Sequence, residues 1–164
     1  MTLAELNEAP AEQARATLLA CCAVPSWADA VAAGRPYPDE DSLLARADEA
    51  ARAMTPAEVD RALDAHPRIG ERAAGSDTEA AWSRQEQSTV SRDGDTQAAL
   101  LRGNQAYERR FDRVFLICAT GLSGAQILAA LEERLHHDDA TEQAVVADEL
   151  RKIALLRLRK VLAT

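Results

Sequence analysis

With 164 residues, 47% of them apolar and 4% aromatic, the chain can bury a sizeable core without metals or disulfides, and its Ala and Leu content favours helix. A net charge of −8, from 27 acidic and 19 basic residues, repels phosphate backbones and argues against nucleic acid as a partner. No run approaches the roughly 20 apolar residues that span a bilayer, so no membrane role is expected.

Residues 1–10 lack the basic start and apolar middle of a signal peptide, and Leu162-Ala163-Thr164 is not a peroxisomal address. Cys21, Cys22 and Cys118 form an odd set with an adjacent pair, which argues for a reducing, cytoplasmic setting over a disulfide framework.

The first helical stretch runs over 6–22 and ends near Pro25. Ser26 opens a short helix to residue 33, and Gly34-Arg35-Pro36-Tyr37-Pro38 must be a loop, because two prolines and a glycine block regular structure. A helix follows over 39–54, with Leu43, Leu44, Ala47 and Ala51 on one side. Thr55-Pro56-Ala57-Glu58 combines a cap, a first-turn proline and a capping-box glutamate, and starts a helix to about residue 65.

Pro67 then pushes His66 out of helical geometry, at a fixed turn. A loop over 70–78 leads to helices over 79–90 and 96–111. The apolar run 114–119 reads as a buried helix or an extended segment. Ser123 and Gln126 form a second capping box for a helix to 135, and Gly121-Leu122-Ser123-Gly124 is better explained as a turn and cap than as a phosphate loop. The last helix covers 141–162. The architecture is all-α: a single domain over 1–164, a bundle of about seven or eight helices.

Two stretches carry most of the chemical content: His66-Pro67-Arg68-Ile69-Gly70-Glu71, and Trp82-Ser83-Arg84-Gln85-Glu86-Gln87. Spacings of three and four put Ser83, Glu86 and Gln87 on one helix face. Such a face is either solvated or built to bind something polar, and the proline-locked histidine twenty residues before Glu86 favours the second. An imidazole and a carboxylate that meet in a cleft are a minimal proton-transfer set.

In the last helix Val146, Leu150, Ile153 and Val161 form an apolar stripe, with Arg157 in its middle. A guanidinium facing the core must be paired or line a cavity, because an unpaired buried charge is very costly. Position alone leaves a structural pairing and an anion clamp evenly matched. His136-His137-Asp138-Asp139 reads as a solvated connection, since no third group is spaced for zinc. Cys118 reads as core.

The histidine motif with Ser83 and Glu86-Gln87 resembles the 2-oxo-4-hydroxy-4-carboxy-5-ureidoimidazoline (OHCU) decarboxylase family. Trp27 and Arg35-Pro36-Tyr37 are similar to that family's tryptophan and arginine-proline-aromatic loop. Asn104, Tyr107, Arg110 and Phe111 resemble its asparagine, tyrosine and arginine-phenylalanine segment. Residues 115–121 resemble its apolar run ending in Ala-Thr-Gly, and Leu156-Arg157-Leu158 its C-terminal arginine-leucine motif. The resemblance covers nearly the whole chain. It departs at Asp112, where the family usually has glycine, and this bears on the loop leading into the pocket.

The resemblance implies an all-helical homodimer that decarboxylates OHCU to (S)-allantoin in urate breakdown without a cofactor. It implies catalytic roles for His66 and Glu86. Substrate binding falls to Pro67, Ser83, Gln87 and Arg157, and to main-chain groups near Ile117 and Ala119. A hydrolase of a related ureido compound, with His66 and Glu86 activating water, and a non-catalytic helical interaction module are the alternatives. Product analysis separates the first, and absence of turnover marks the second.

Overall fold

The computed structural model describes residues 1–69, 78–90 and 94–163. Among them are nine helices and no strand. The expected loop over 70–78 falls almost wholly outside the described residues, as do Gly70 and Glu71 of the histidine motif.

The helix count exceeds the expected seven or eight because 6–22 is not one helix. It divides into α1 (Leu3–Glu8) and α2 (Ala11–Cys21). Pro10 has no N–H to donate, and it restricts Ala9 to extended geometry, with φ −58° and ψ 143°. Next, α3 (Pro25–Ala33) starts on Pro25 with Val24 as its N-cap, so Ser26 is not its first residue. The Ser26 hydroxyl donates instead to Glu58.

Asp39 caps α4 (Glu40–Arg52), accepting from Ser42 N at 2.7 Å. The expected capping box opens α5 (Pro56–Leu63): Glu58 N donates to Thr55 Oγ1 at 3.2 Å and Thr55 N to Glu58 Oε1 at 3.3 Å. Then come α6 (Thr78–Glu86) and α7 (Gly94–Phe111). A second box at Ser123 and Gln126 opens α8 (Gly124–Arg134), with bonds of 3.2 and 2.8 Å. The last helix, α9 (Asp139–Ala163), is longer than expected at its N-terminus. Between α7 and α8, residues 114–119 belong to no helix and have no ladder partner among the described residues.

The chain falls into two units, Met1–Ala62 with Leu150–Thr164, and Leu63–Glu149. In the first unit α2 packs on α3 and α3 on α4, around buried Leu6, Leu18, Trp27 and Leu43. The Trp27 indole donates to Ala47 O at 3.0 Å. Arg35 Nη1 donates to Leu6 O at 2.7 Å and Ala9 O at 2.8 Å, closing the C-terminal end of α1. Tyr37 donates its hydroxyl to Val31 O at 2.6 Å, and its backbone is paired on both sides by the Asn7 amide at 2.9 Å. The arginine-proline-tyrosine loop therefore braces this unit. The apolar stripe of α9 continues here as Leu150, Ile153, Arg157 and Val161, all buried.

In the second unit α7 packs on α8. Gly103 permits that contact, since a Cβ there would collide with the Leu131 side chain. The buried face of α7 is Leu100, Asn104, Tyr107 and Phe111. Tyr107 lies 4.7 Å from the Phe111 ring and 5.2 Å, edge-on, from Phe115. Ile69, Val90, Ile117, Ala119, Ile127 and Leu131 belong to the same core.

Candidate active site

The histidine motif begins where α5 runs out. His66 N donates to Leu63 O at 3.0 Å, a tight turn, and Pro67 cannot continue the pattern. His66 and Pro67 are half-buried, and Ile69 is buried in the core of the unit. Two contacts from α7 fix this turn. Asn104, itself buried, donates from Nδ2 to Ile69 O at 2.8 Å. Arg68 meets Glu108 through Nε–Oε1 at 2.5 Å and Nη2–Oε2 at 3.3 Å, in a largely exposed fork.

The α6 residues answer the question of the polar face. Ser83 is 3% exposed, and Glu86 and Gln87 are each 9% exposed, so this face is not solvated. Burying a hydroxyl, a carboxylate and an amide together is costly unless each is bonded or kept for a ligand. Glu86 is the last residue of α6, and Gln87 N closes the final turn on Ser83 O at 3.2 Å. Just beyond, Thr89 Oγ1 donates to Leu122 O at 2.6 Å, and Leu122 N donates to Ala119 O at 3.0 Å. The C-terminal end of α6 is thereby tied to the end of the 114–119 segment.

In that segment Phe115, Leu116, Ile117 and Ala119 are buried, while Cys118, expected in the core, is only half-buried. Arg134 holds it from α8, with Nη1 donating to Leu116 O at 2.7 Å and the guanidinium lying 4.4 Å over the Phe115 ring. Arg134 also donates from Nε and Nη2 to Glu142 Oε1, at 2.8 and 2.6 Å. The same carboxylate accepts from the Tyr107 hydroxyl at 2.6 Å and meets His137 Nδ1 at 3.0 Å.

Burial works to raise the Glu142 pKa, but the hydrogen bonds from Arg134 and Tyr107, with the arginine's charge, hold it below the ordinary value. Burial first, then the bond to the Glu142 carboxylate, pushes the Tyr107 hydroxyl well above its ordinary range, so it stays a donor.

The structure thus brings His66, Pro67, Ser83, Glu86, Gln87, Ile117 and Ala119 into one unit, on stretches joined through one core by Ile69, Val90, Ile117 and Ala119. Arg157 belongs to the other unit, where it is 1% exposed. His136, Asp138 and Asp139 are exposed, as expected of a solvated connection, and His137 alone departs from it: it is half-buried against Glu142, and its carbonyl accepts from Arg110 Nη2 at 3.1 Å. Among the described residues, no acidic, histidine or cysteine cluster is arranged to hold a metal ion.

Sequence reasoning missed Arg134 and Glu142, although a signal existed. Arg134 follows Ile127 and Leu131 at helical spacing, and Glu142 lies four residues before Val146 on the apolar stripe of α9.

Residues 7–159 match the family model described as OHCU decarboxylase. The 2-oxo-4-hydroxy-4-carboxy-5-ureidoimidazoline decarboxylase of Amia calva is 32% identical over 142 residues, covering 84% of this chain and 81% of that protein. The uric acid degradation bifunctional protein TTL of Arabidopsis thaliana is 29% identical over 86% of this chain, which spans only 45% of that longer protein. A crystal structure of OHCU decarboxylase in the presence of (S)-allantoin shares the fold, with a TM-score of 0.78 at 24% identity over 95% of this chain and 100% of that one.

Proposed function

The chain belongs to the OHCU decarboxylase family, and from that premise we propose that it is a carboxy-lyase converting OHCU to (S)-allantoin in urate breakdown, working as one catalytic domain. The observation that carries this reading is the buried polar face of α6, Ser83, Glu86 and Gln87, in the same unit as the proline-locked His66 turn and the 117–119 main chain.

The substrate carries its own electron sink, a ring C=N bond next to the carbon that bears the carboxylate. When the bond to CO2 breaks, its electron pair forms a C=C bond and the C=N pair moves onto nitrogen, which takes up a proton. The enol so formed loses its hydroxyl proton as a carbonyl forms, and a proton is delivered to the adjacent ring carbon, the new stereocentre. Delivery to one face gives one enantiomer. The protein then has to orient the carboxylate and manage protons.

His66 exchanges the proton, and Glu86 sets the imidazole's tautomer and charge or contacts a substrate amide. Ser83, Gln87 and main-chain groups at Ile117 and Ala119 grip the ureido and ring amides, with Pro67 fixing the histidine turn. Arg157 takes a charged or polar edge of the substrate, a task suited to its planar fork. These assignments rest on the family's motifs. The resemblance also supports a homodimer, and the odd cysteine set Cys21, Cys22 and Cys118, with its adjacent pair, fits a cytoplasmic setting.

The test is to generate OHCU in situ from urate and follow the chirality of allantoin by circular dichroism, with CO2 release measured alongside. Wild type should give the (S) form rapidly, and a folded His66→Ala variant should be slower by about 10²–10⁴-fold. Racemic product at the spontaneous rate from wild type would overturn the assignment, and release of ammonia without CO2 would point to a hydrolase.

A further inference from the structure

Residues 114–119 have neither a helix nor a sheet ladder to fix them, yet the reading above asks their main chain to bind a substrate ring. The geometry points to Arg134 as a positioning residue for this reaction: held by Glu142, it fixes the peptide plane through which the 114–119 segment presents its main chain to substrate. The inference rests on the proposed decarboxylase function and on main-chain binding at Ile117 and Ala119.

The physical link is the planarity of the peptide unit. Leu116 C=O and Ile117 N–H share one plane and point in opposite directions. Arg134 Nη1, at 2.7 Å from Leu116 O, therefore also sets the direction of the Ile117 N–H. Further along, Ala119 O is fixed by Leu122 N at 3.0 Å. The guanidinium has little freedom of its own, because Nε and Nη2 are both taken by Glu142 Oε1, at 2.8 and 2.6 Å. Glu142 in turn is fully buried and braced by Tyr107 and His137.

A buried ion pair is a poor way to gain stability, since well-packed apolar residues often do as well or better. What this pair supplies is geometry: one rigid fork that satisfies a carboxylate and a main-chain carbonyl together. A lysine in its place has a single ammonium that cannot span both acceptors in this way.

The experiment compares wild type, Arg134→Lys and Arg134→Met by steady-state decarboxylation and by amide hydrogen exchange over 115–119. Leu18→Ala, in the core of the other unit, serves as a control for general destabilisation. Both Arg134 variants should exchange faster over 115–119 and raise KM about tenfold or more, with kcat within about threefold of wild type. Met should be worse than Lys, and the lysine variant keeps a charge for Glu142 should the methionine variant fail to fold. The control should lose thermal stability with KM unchanged.

Unchanged exchange over 115–119, or faster exchange with wild-type KM, would overturn the inference. So would a KM rise no larger than the control's. Failure of the underlying reading is visible separately, as wild-type protein that releases no CO2.

Discussion

At Asp112 the resemblance expects glycine, and the backbone there is of the kind that glycine enters most easily. Its φ is +55°, in the left-handed region, at the end of α7, where its N–H closes on Glu108 O at 2.9 Å. Aspartate tolerates that region better than most residues, but glycine enters it without a Cβ penalty. This chain makes the left-handed turn with a residue that carries a Cβ, at a conformational cost. Asp112→Gly should therefore stabilise the protein by about 0.5–1 kcal/mol, net of glycine's larger unfolded-state entropy, raising Tm by a few degrees with kcat/KM unchanged. Thermal unfolding checks this, and a lower Tm would mean that the carboxylate's own contacts outweigh the strain.

The element that matters most for the histidine turn is α7, which holds it in two ways of very different weight. The Arg68–Glu108 fork is roughly half exposed on the arginine side, and such pairs contribute about 0–1 kcal/mol. The bond from Asn104 to Ile69 O is buried. Asn104 Oδ1 is also buried, without a hydrogen-bond partner among the described residues, so the bond from its amide nitrogen is the contact through which Asn104 holds the turn. Asn104→Leu should cost about 1–3 kcal/mol by orphaning Ile69 O, and should lower kcat/KM in the folded protein. Glu108→Gln should change both by little. Denaturant unfolding with kinetics on the same samples separates the two, and equal effects would refute the ranking.

For the whole molecule, the buried Glu142 network predicts how the protein meets acid. Burial alone would raise this carboxyl, but Arg134 and Tyr107 depress it below the ordinary 4.5. A depressed carboxyl gives stability that is fully present above its unfolded pKa and is lost as pH falls through the folded value. Thermal stability should therefore decline from about pH 4.5 downward. Glu142→Gln should flatten that decline, while losing roughly 3–5 kcal/mol at neutral pH because Arg134 is left buried without its counter-charge. Melting curves between pH 7 and pH 3 measure both, and parallel curves would clear Glu142 of the acid response.

Most of the helical architecture was legible in the chain because its signals are short-range. Thr55 with Glu58, Ser123 with Gln126, and the i, i+4 stripe around Arg157 each lie within a turn or two of what they control. Even the break that the reading overlooked, at Pro10, is written locally in a missing N–H. The His66, Ser83, Glu86 and Gln87 set was legible as chemistry and as family motif.

Its surroundings were not. Whether the α6 face meets water or core, where His137 turns, and that Arg134 reaches the carbonyl of Leu116 eighteen positions earlier, all depend on partners brought together by packing. A helical period tells which residues share a face, but it does not carry the identity of what that face is pressed against. Only the folded arrangement decides which polar groups lose their water, and with it which of them must be paired.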